Sequence, residues 1–143
     1  MAFVKKDEVT NELVSEWLNS AAIETSIDED GDVYAKRGGI DFGLWVKINS
    51  DRGYIRLLTY MKCKEGVDID ALDAFASRLN SNYVFVRFTT TVSDNGQAYL
   101  YGDYDLLYTF GVSVENFVAT VRKFSAVFVD AIRSEDEDDV FFG

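Results

Sequence analysis

The sequence predicts an α+β domain: an antiparallel sheet with helices on one face, in the order α-β-β-β-β-α-β-β-α. Three observations predict it. Apolar residues recur at helical spacing in three segments and alternate with a period of two in the stretches between them. The alternating runs are joined by short turn sequences, Asp30-Gly31 and Asn95-Gly96 among them, which suit antiparallel hairpins. The chain has 143 residues, 48% of them hydrophobic and 27% charged, the size and mixture of a single globular domain.

The elements follow in order. From Lys6 to Ala22, Val9, Leu13, Trp17 and Ala21 recur every four residues with Val14 and Leu18 beside them, so a helix with one buried stripe is expected. Its first turn would carry Asp7 and Glu8, which suit the positive end of the helix dipole. Ile23 to Asp28 and Asp32 to Lys36 flank Asp30-Gly31 as a hairpin. Phe42 to Ile48 alternates, Ser50-Asp51-Arg52-Gly53 turns the chain, and Tyr54 to Lys62 alternates again. Asp68 or Asp70 caps a second helix running to about Asn80. Tyr83 to Val92 and Gln97 to Tyr104 form strands around Ser93-Asp94-Asn95-Gly96. Ser113 caps the last helix, whose stripe runs from Val114 through Phe117, Val121, Phe124 and Phe128 to Ile132.

Alternation sorts the strand residues into two faces. One is apolar throughout: Phe42, Leu44, Val46, Ile48, Ile55, Leu57, Met61, Val84, Val86, Phe88 and Leu100, and should lie under the helices. The other holds Trp45 with Lys47; Tyr54, Arg56, Leu58 and Tyr60; Tyr83, Phe85 and Arg87; Tyr99 and Tyr101. Solvated faces usually carry Thr, Ser, Lys and Glu, whereas Trp, Tyr, Phe and Arg are the types enriched at the centres of protein interfaces. Trp45, Tyr54, Arg56, Tyr60, Tyr83, Phe85, Arg87, Tyr99 and Tyr101 are therefore the candidate dimer or partner face. Two other readings stand beside it: tyrosines as good strand formers with a polar tip, and a base-stacking face like that of some RNA-binding sheets.

Charge weighs against the last. Acidic residues outnumber basic ones 25 to 14, a net of −11, which disfavours nucleic acid or an anionic membrane as partner. No stretch approaches the roughly 18 apolar residues of a membrane span, and Met1 to Lys6 lacks the apolar core of a secretory signal. One cysteine, Cys63, cannot form an internal disulfide, which fits a reducing cytoplasm.

The chain contains no histidine, the usual general base near neutral pH and the commonest metal ligand. No enzymatic activity, metal or cofactor is expected. Asp28-Glu29-Asp30-Gly31-Asp32 resembles the start of a calcium loop, but Val33 and Gly39 stand where that motif needs Gly and Glu. Arg37-Gly38-Gly39 lacks the Gly-Lys-Ser/Thr of a phosphate loop. Lys62 and Lys64 flank Cys63 and would lower its pKa somewhat, but without a histidine a catalytic thiol has no base. No pair of carboxylates stands out as an acid/base couple.

The organisation expected is one domain over residues 1–133 and a disordered acidic tail over 134–143. Two readings fit the tail. It is a solubilising extension, or a recognition peptide in which Asp138, Asp139, Phe141 and Phe142 dock on a basic, apolar pocket of a partner.

Finally, Leu79-Asn80, Tyr83-Val84-Phe85-Val86-Arg87-Phe88, Asp94-Asn95-Gly96, Tyr99-Leu100-Tyr101-Gly102-Asp103 and Gly111-Val112-Ser113-Val114-Glu115-Asn116-Phe117 together resemble the YbjN family over residues 68–132. One departure is Asp103-Tyr104-Asp105-Leu106-Leu107, where the family carries an Asp-Leu-Pro stretch. The resemblance implies a fold similar to type III secretion chaperones, which are small, acidic, cytoplasmic homodimers that bind extended segments of other proteins. It implies a chaperone-like or regulatory role and supplies no catalytic residues. The alternative is a small-ligand-binding regulator with a pocket between sheet and helices.

Overall fold

The computed structural model describes residues 2–142. After a two-residue strand β1 (Phe3–Val4) and one 3-10 turn (Lys6–Glu8), the elements are α1 (Asn11–Ser20), β2 (Glu24–Ile27), β3 (Val33–Arg37), β4 (Leu44–Asn49), β5 (Tyr54–Lys62), α2 (Ile69–Asn82), β6 (Arg87–Val92), β7 (Ala98–Leu107), β8 (Val112–Ser113) and α3 (Val114–Glu135). Strands β2-β3-β4-β5-β7-β6 form one antiparallel sheet, and β1 pairs separately with β8. The expected α+β order is present; the β1–β8 pair, too short to show a period, is added to it.

Capping chemistry sets the helix starts. Thr10 Oγ1 accepts the Leu13 N–H at 3.1 Å, so α1 begins at Asn11 and not at Lys6, and Asp7 and Glu8 fall in the 3-10 turn. Asp68, rather than Asp70, caps α2 by accepting the N–H groups of Asp70 and Ala71. Ser113 caps α3 through the Asn116 N–H.

The helices bury one face of the sheet. Val33, Ala35, Leu44, Val46, Ile55, Leu57 and Leu100 are sealed beneath them, against Trp17 and Leu18 of α1, Leu72, Phe75 and Leu79 of α2, and Phe117, Phe124 and Phe128 of α3. Gly102 permits a close approach of helix to sheet: a Cβ there would lie 2.5 Å from the Phe128 ring, so α3 can rest on β7 only where no side chain intervenes. Phe128 also stacks on Phe88 of β6 and tilts against Phe42 in the loop before β4, joining separate parts of the core through one ring.

Two expectations need correction. The strand placed at Tyr83–Val92 begins at Arg87, because α2 runs to Asn82 and the chain turns a corner before joining β7. Val84, expected under the helices, is fully exposed. The tail expected to be disordered over 134–143 is also folded through Phe142: α3 continues to Glu135, and the segment after it returns to the core. Asp136 is the cause. Its carboxylate accepts the N–H groups of Val140, Phe141 and Phe142, and the Lys64 N–H donates to the Phe141 carbonyl at 2.8 Å. Phe141 and Phe142 are 6% and 8% exposed, with the Phe141 ring 4.8 Å from that of Phe75. Two buried phenylalanines offset the ordering of seven residues in a way an acidic composition does not suggest.

Candidate functional site

The face opposite the helices is built in rows by the strand register. Tyr34, Trp45, Leu58, Asp103 and Arg87 stand side by side across five strands. On one side of that row lie Tyr60, Tyr101 and Thr89, then Lys62, Tyr99 and Thr91; on the other lie Lys47, Arg56 and Asp105, then Asn49, Tyr54 and Leu107. The face therefore divides into an aromatic half and an ionic half.

In the aromatic half the rings form one contiguous cluster. Tyr34 lies 4.6 Å from Trp45, Trp45 stacks on Tyr60 at 5.7 Å with planes 10° apart, and Tyr60 meets Tyr101 at 5.3 Å and Tyr99 at 5.6 Å. Diagonal neighbours across a sheet are within reach for rings of this size, which is why alternate positions on four strands converge. Trp45, Tyr34, Tyr99 and Tyr101 are half-buried and Tyr60 is 38% exposed, so the rings shield one another while the cluster remains open to solvent.

In the ionic half two arginines make forked pairs. Arg56 donates to both oxygens of Asp105, at 2.8 and 3.0 Å, and Arg87 to both of Asp103, at 3.0 and 2.9 Å. The Arg56 hydrogen bonds hold Asp105 below the usual carboxylate range and raise the guanidinium. The Asp103 hydrogen bonds likewise raise Arg87. Lys47 lies 3.5 Å from Asp32, and the Arg56 guanidinium sits 5.4 Å from the centre of the Tyr54 ring. Four basic side chains against two acidic ones make up the rows of this face, on a chain whose net charge is −11.

Of the nine residues expected here, Trp45, Tyr54, Arg56, Tyr60, Arg87, Tyr99 and Tyr101 are on the face. Tyr83 and Phe85 are not. Phe85 stacks at 4.4 Å on Tyr104, which is paired with buried Leu57 and therefore points to the helix side. Both line a groove of about 650 Å³ where α2 ends, shared with Val84, Arg87 and Asp105. Sequence reasoning missed Tyr34, although the alternation Val33-Tyr34-Ala35 carried the signal. Asp103 and Asp105 were missed as well, because ion-pair partners 16 and 49 residues apart leave no local pattern.

The other groups considered are accounted for by packing. Asp28 Oδ1 accepts the N–H groups of Asp30 and Asp32, so the acidic triplet is a hairpin tip tied by its own backbone. Gly38, at φ +104°, passes so close to Ala22 that a Cβ would lie 2.1 Å from its carbonyl oxygen. Cys63 reverses its expectation: burial, then the negative charge of Asp136, pushes the thiol up to about 11, while Lys62 is exposed and Lys64 turns its ammonium to the Asp139 carbonyl. The tail residues Phe141 and Phe142 are core residues, whereas Asp138 and Asp139 are exposed. Among the described residues no helix is long and apolar enough to cross a membrane.

A family model described as YbjN, "putative bacterial sensory transduction regulator", matches residues 10–134. Among curated proteins none matches the sequence. Solved structures that share the fold include the following three. YbjN from E. coli, described as "a putative transcription regulator", superposes with a TM-score of 0.77 at 14% identity, covering 94% of this chain and 96% of that one. A protein from Methanothermobacter thermautotrophicus gives 0.65 at 11% identity, covering 94% and 100%. A chain of the HopA1–SchA chaperone–effector complex gives 0.54 at 15% identity, covering 88% and 91%.

Proposed function

The chain belongs to the YbjN family, and from that premise we propose that it is a non-enzymatic protein-binding domain, chaperone-like or regulatory, working as a small acidic cytoplasmic homodimer. The outer sheet face is the docking surface. One observation carries the reading: the five-ring cluster of Tyr34, Trp45, Tyr60, Tyr99 and Tyr101 lies beside mostly basic rows on a molecule that is otherwise strongly acidic.

Physical reasons favour that surface. Four basic side chains on this face offset part of the molecule's negative charge, so the long-range repulsion between two acidic copies is lessened where they meet through it. Rigid Trp and Tyr rings bring apolar area at low entropic cost, and a stable interface needs about 800 Å² per partner. Arg56–Asp105 and Arg87–Asp103 are already paired, so covering them costs less than burying either charge alone. The likeness of fold to a chain of a chaperone–effector complex supports a protein as cargo or partner. A chain without histidine, whose one thiol is held protonated, lacks the commonest general base near neutral pH and an activated cysteine.

The test is Tyr60→Asp with Tyr101→Asp, followed by light scattering on a sizing column. The wild type is expected to run as a dimer and the folded double variant as a monomer. A wild type that is monomeric at micromolar concentration, or a folded variant that remains dimeric, overturns the assignment of the dimer to this face.

A further inference from the structure

On the helix side, far from the aromatic face in the layering of the fold, a cavity of about 370 Å³ opens where the end of α3 meets β5 and the returning C-terminal segment. Phe42, Met61, Val129, Ile132 and Phe142 give it an apolar lining. Charged groups complete its lining: Asp41, Asp139, Arg133 on the last turn of α3, and Asp136, whose carboxylate is occupied by the N–H groups of the tail. Asp41, Asp139 and Arg133 are exposed, and none has an ion-pair partner among the described residues. Their charges are thus uncommitted, unlike those of the outer face.

We infer that this cavity binds a small amphipathic amine, its apolar group seated against Phe42, Met61 and Ile132 and its ammonium beside the carboxylates. The sign of the ligand follows from the surroundings. The carboxylates of Asp41, Asp136 and Asp139 stand against the Arg133 guanidinium and the Lys64 ammonium, which bonds the Asp139 carbonyl, and the C-terminal end of α3, with its partial negative charge, adds to the acidic side. Negative potential at this end is already felt inside the molecule, where Asp136 contributes to raising the Cys63 thiol. The volume accommodates an aryl-alkyl group of phenylalanine size, and the five apolar side chains of the lining suit such a group. Neither the acidic tail nor the strand pattern alone makes the site. It exists because Asp136 folds the chain end back, so that Phe142 supplies one wall and Asp139 part of the charged lining.

The probe is phenethylamine, titrated into the full chain and followed by backbone amide shifts, with 2-phenylethanol and 3-phenylpropionate as neutral and anionic counterparts. Shifts confined to Phe42, Met61, Ile132 and Phe142 are expected, saturating with a Kd on the order of a millimolar, as burial of one ring allows. The Asp41→Asn, Asp139→Asn double variant changes only exposed groups and should weaken the amine about three- to tenfold while leaving the alcohol unchanged. Met61→Trp, which fills the cavity without touching a charge, should abolish both. Equal binding of amine, alcohol and carboxylate, scattered surface shifts, or an indifferent double variant overturns the proposal. A Phe-Gly-Gly peptide separates two sources of the same chemistry: tighter binding than phenethylamine assigns the site to a peptide N-terminus, weaker binding to a free amine.

Discussion

The side-chain amide of Asn80 holds both backbone groups of Phe88: Oδ1 accepts the Phe88 N–H at 2.8 Å and Nδ2 donates to its carbonyl at 2.9 Å. Strand β6 is the edge of the sheet, so these groups would otherwise be open to any passing strand. Asn80 takes the place of a neighbouring strand and ties the end of α2 to the edge. Thr90 adds a hydroxyl bond to Asp73 of the same helix.

Asn80→Ala should therefore do two things at once. Losing both bonds leaves a part-buried N–H and carbonyl unsatisfied, and urea unfolding should register a loss of about 1–3 kcal/mol. The exposed edge should also raise aggregation on mild heating, followed by light scattering. A variant as stable and as soluble as wild type would show that Asn80 does not guard the edge.

Asp136→Ala removes the acceptor for three successive N–H groups. Residues 137–142 should open while the sheet stays intact, because the tail contacts the body through few groups: the Phe141 and Phe142 rings on Phe75, and Lys64 on the Phe141 and Asp139 carbonyls. The readout is amide exchange: protection at Phe141 should fall by roughly tenfold or more, about 1.4 kcal/mol or above, with that of β5 and β7 retained. Unchanged protection at Phe141 would refute this account of the chain end.

Alkaline pH should destabilise the protein through Cys63. Its folded pKa is raised to about 11 from an ordinary value of 9.0, so the neutral thiol's full contribution holds below pH 9. Between about pH 9 and 11 the unfolded chain releases the proton first, and stability falls by roughly 2–3 kcal/mol. Cys63→Ala should lack that part of the decline in paired urea titrations at pH 8 and 11. Equal slopes in both proteins would contradict the burial of the thiol, as would rapid alkylation at neutral pH.

Tyr108 is 1% exposed, and its hydroxyl has no hydrogen-bond partner among the described residues. Burial alone raises its pKa. Tyr108→Phe keeps the ring and deletes a buried polar atom, so the melting temperature should rise, with a gain of about 1 kcal/mol. A loss of similar size would reveal a partner for the hydroxyl.

Asp105 works in the opposite direction from Cys63. Its carboxyl is depressed by the hydrogen bonds from Arg56, so the pair's contribution is present above the ordinary carboxylate range and is lost as pH falls through the depressed value. Both groups are partly exposed, and Asp105→Asn should cost no more than about 1 kcal/mol at pH 7, less in high salt.

Sequence by itself determined the fold class, the order of the main elements and the identity of most residues on the outer face. Period-two alternation from Leu44 to Lys62 and from Ala98 to Tyr104 assigns each side chain to a face without knowledge of its neighbours, because the pleat leaves no other option. Tertiary structure alone decided what depends on partners distant along the chain. The pattern of Tyr83–Phe88 reads as strand, yet Asn80 and Tyr104 bend its first residues out of the sheet and take Phe85 with them. Five acidic residues in Glu135–Asp139 read as a solvated tail, yet one of them gathers three N–H groups and delivers two phenylalanines to the core. Local pattern records which way a side chain points; what it meets is set by contacts that sequence spacing does not encode.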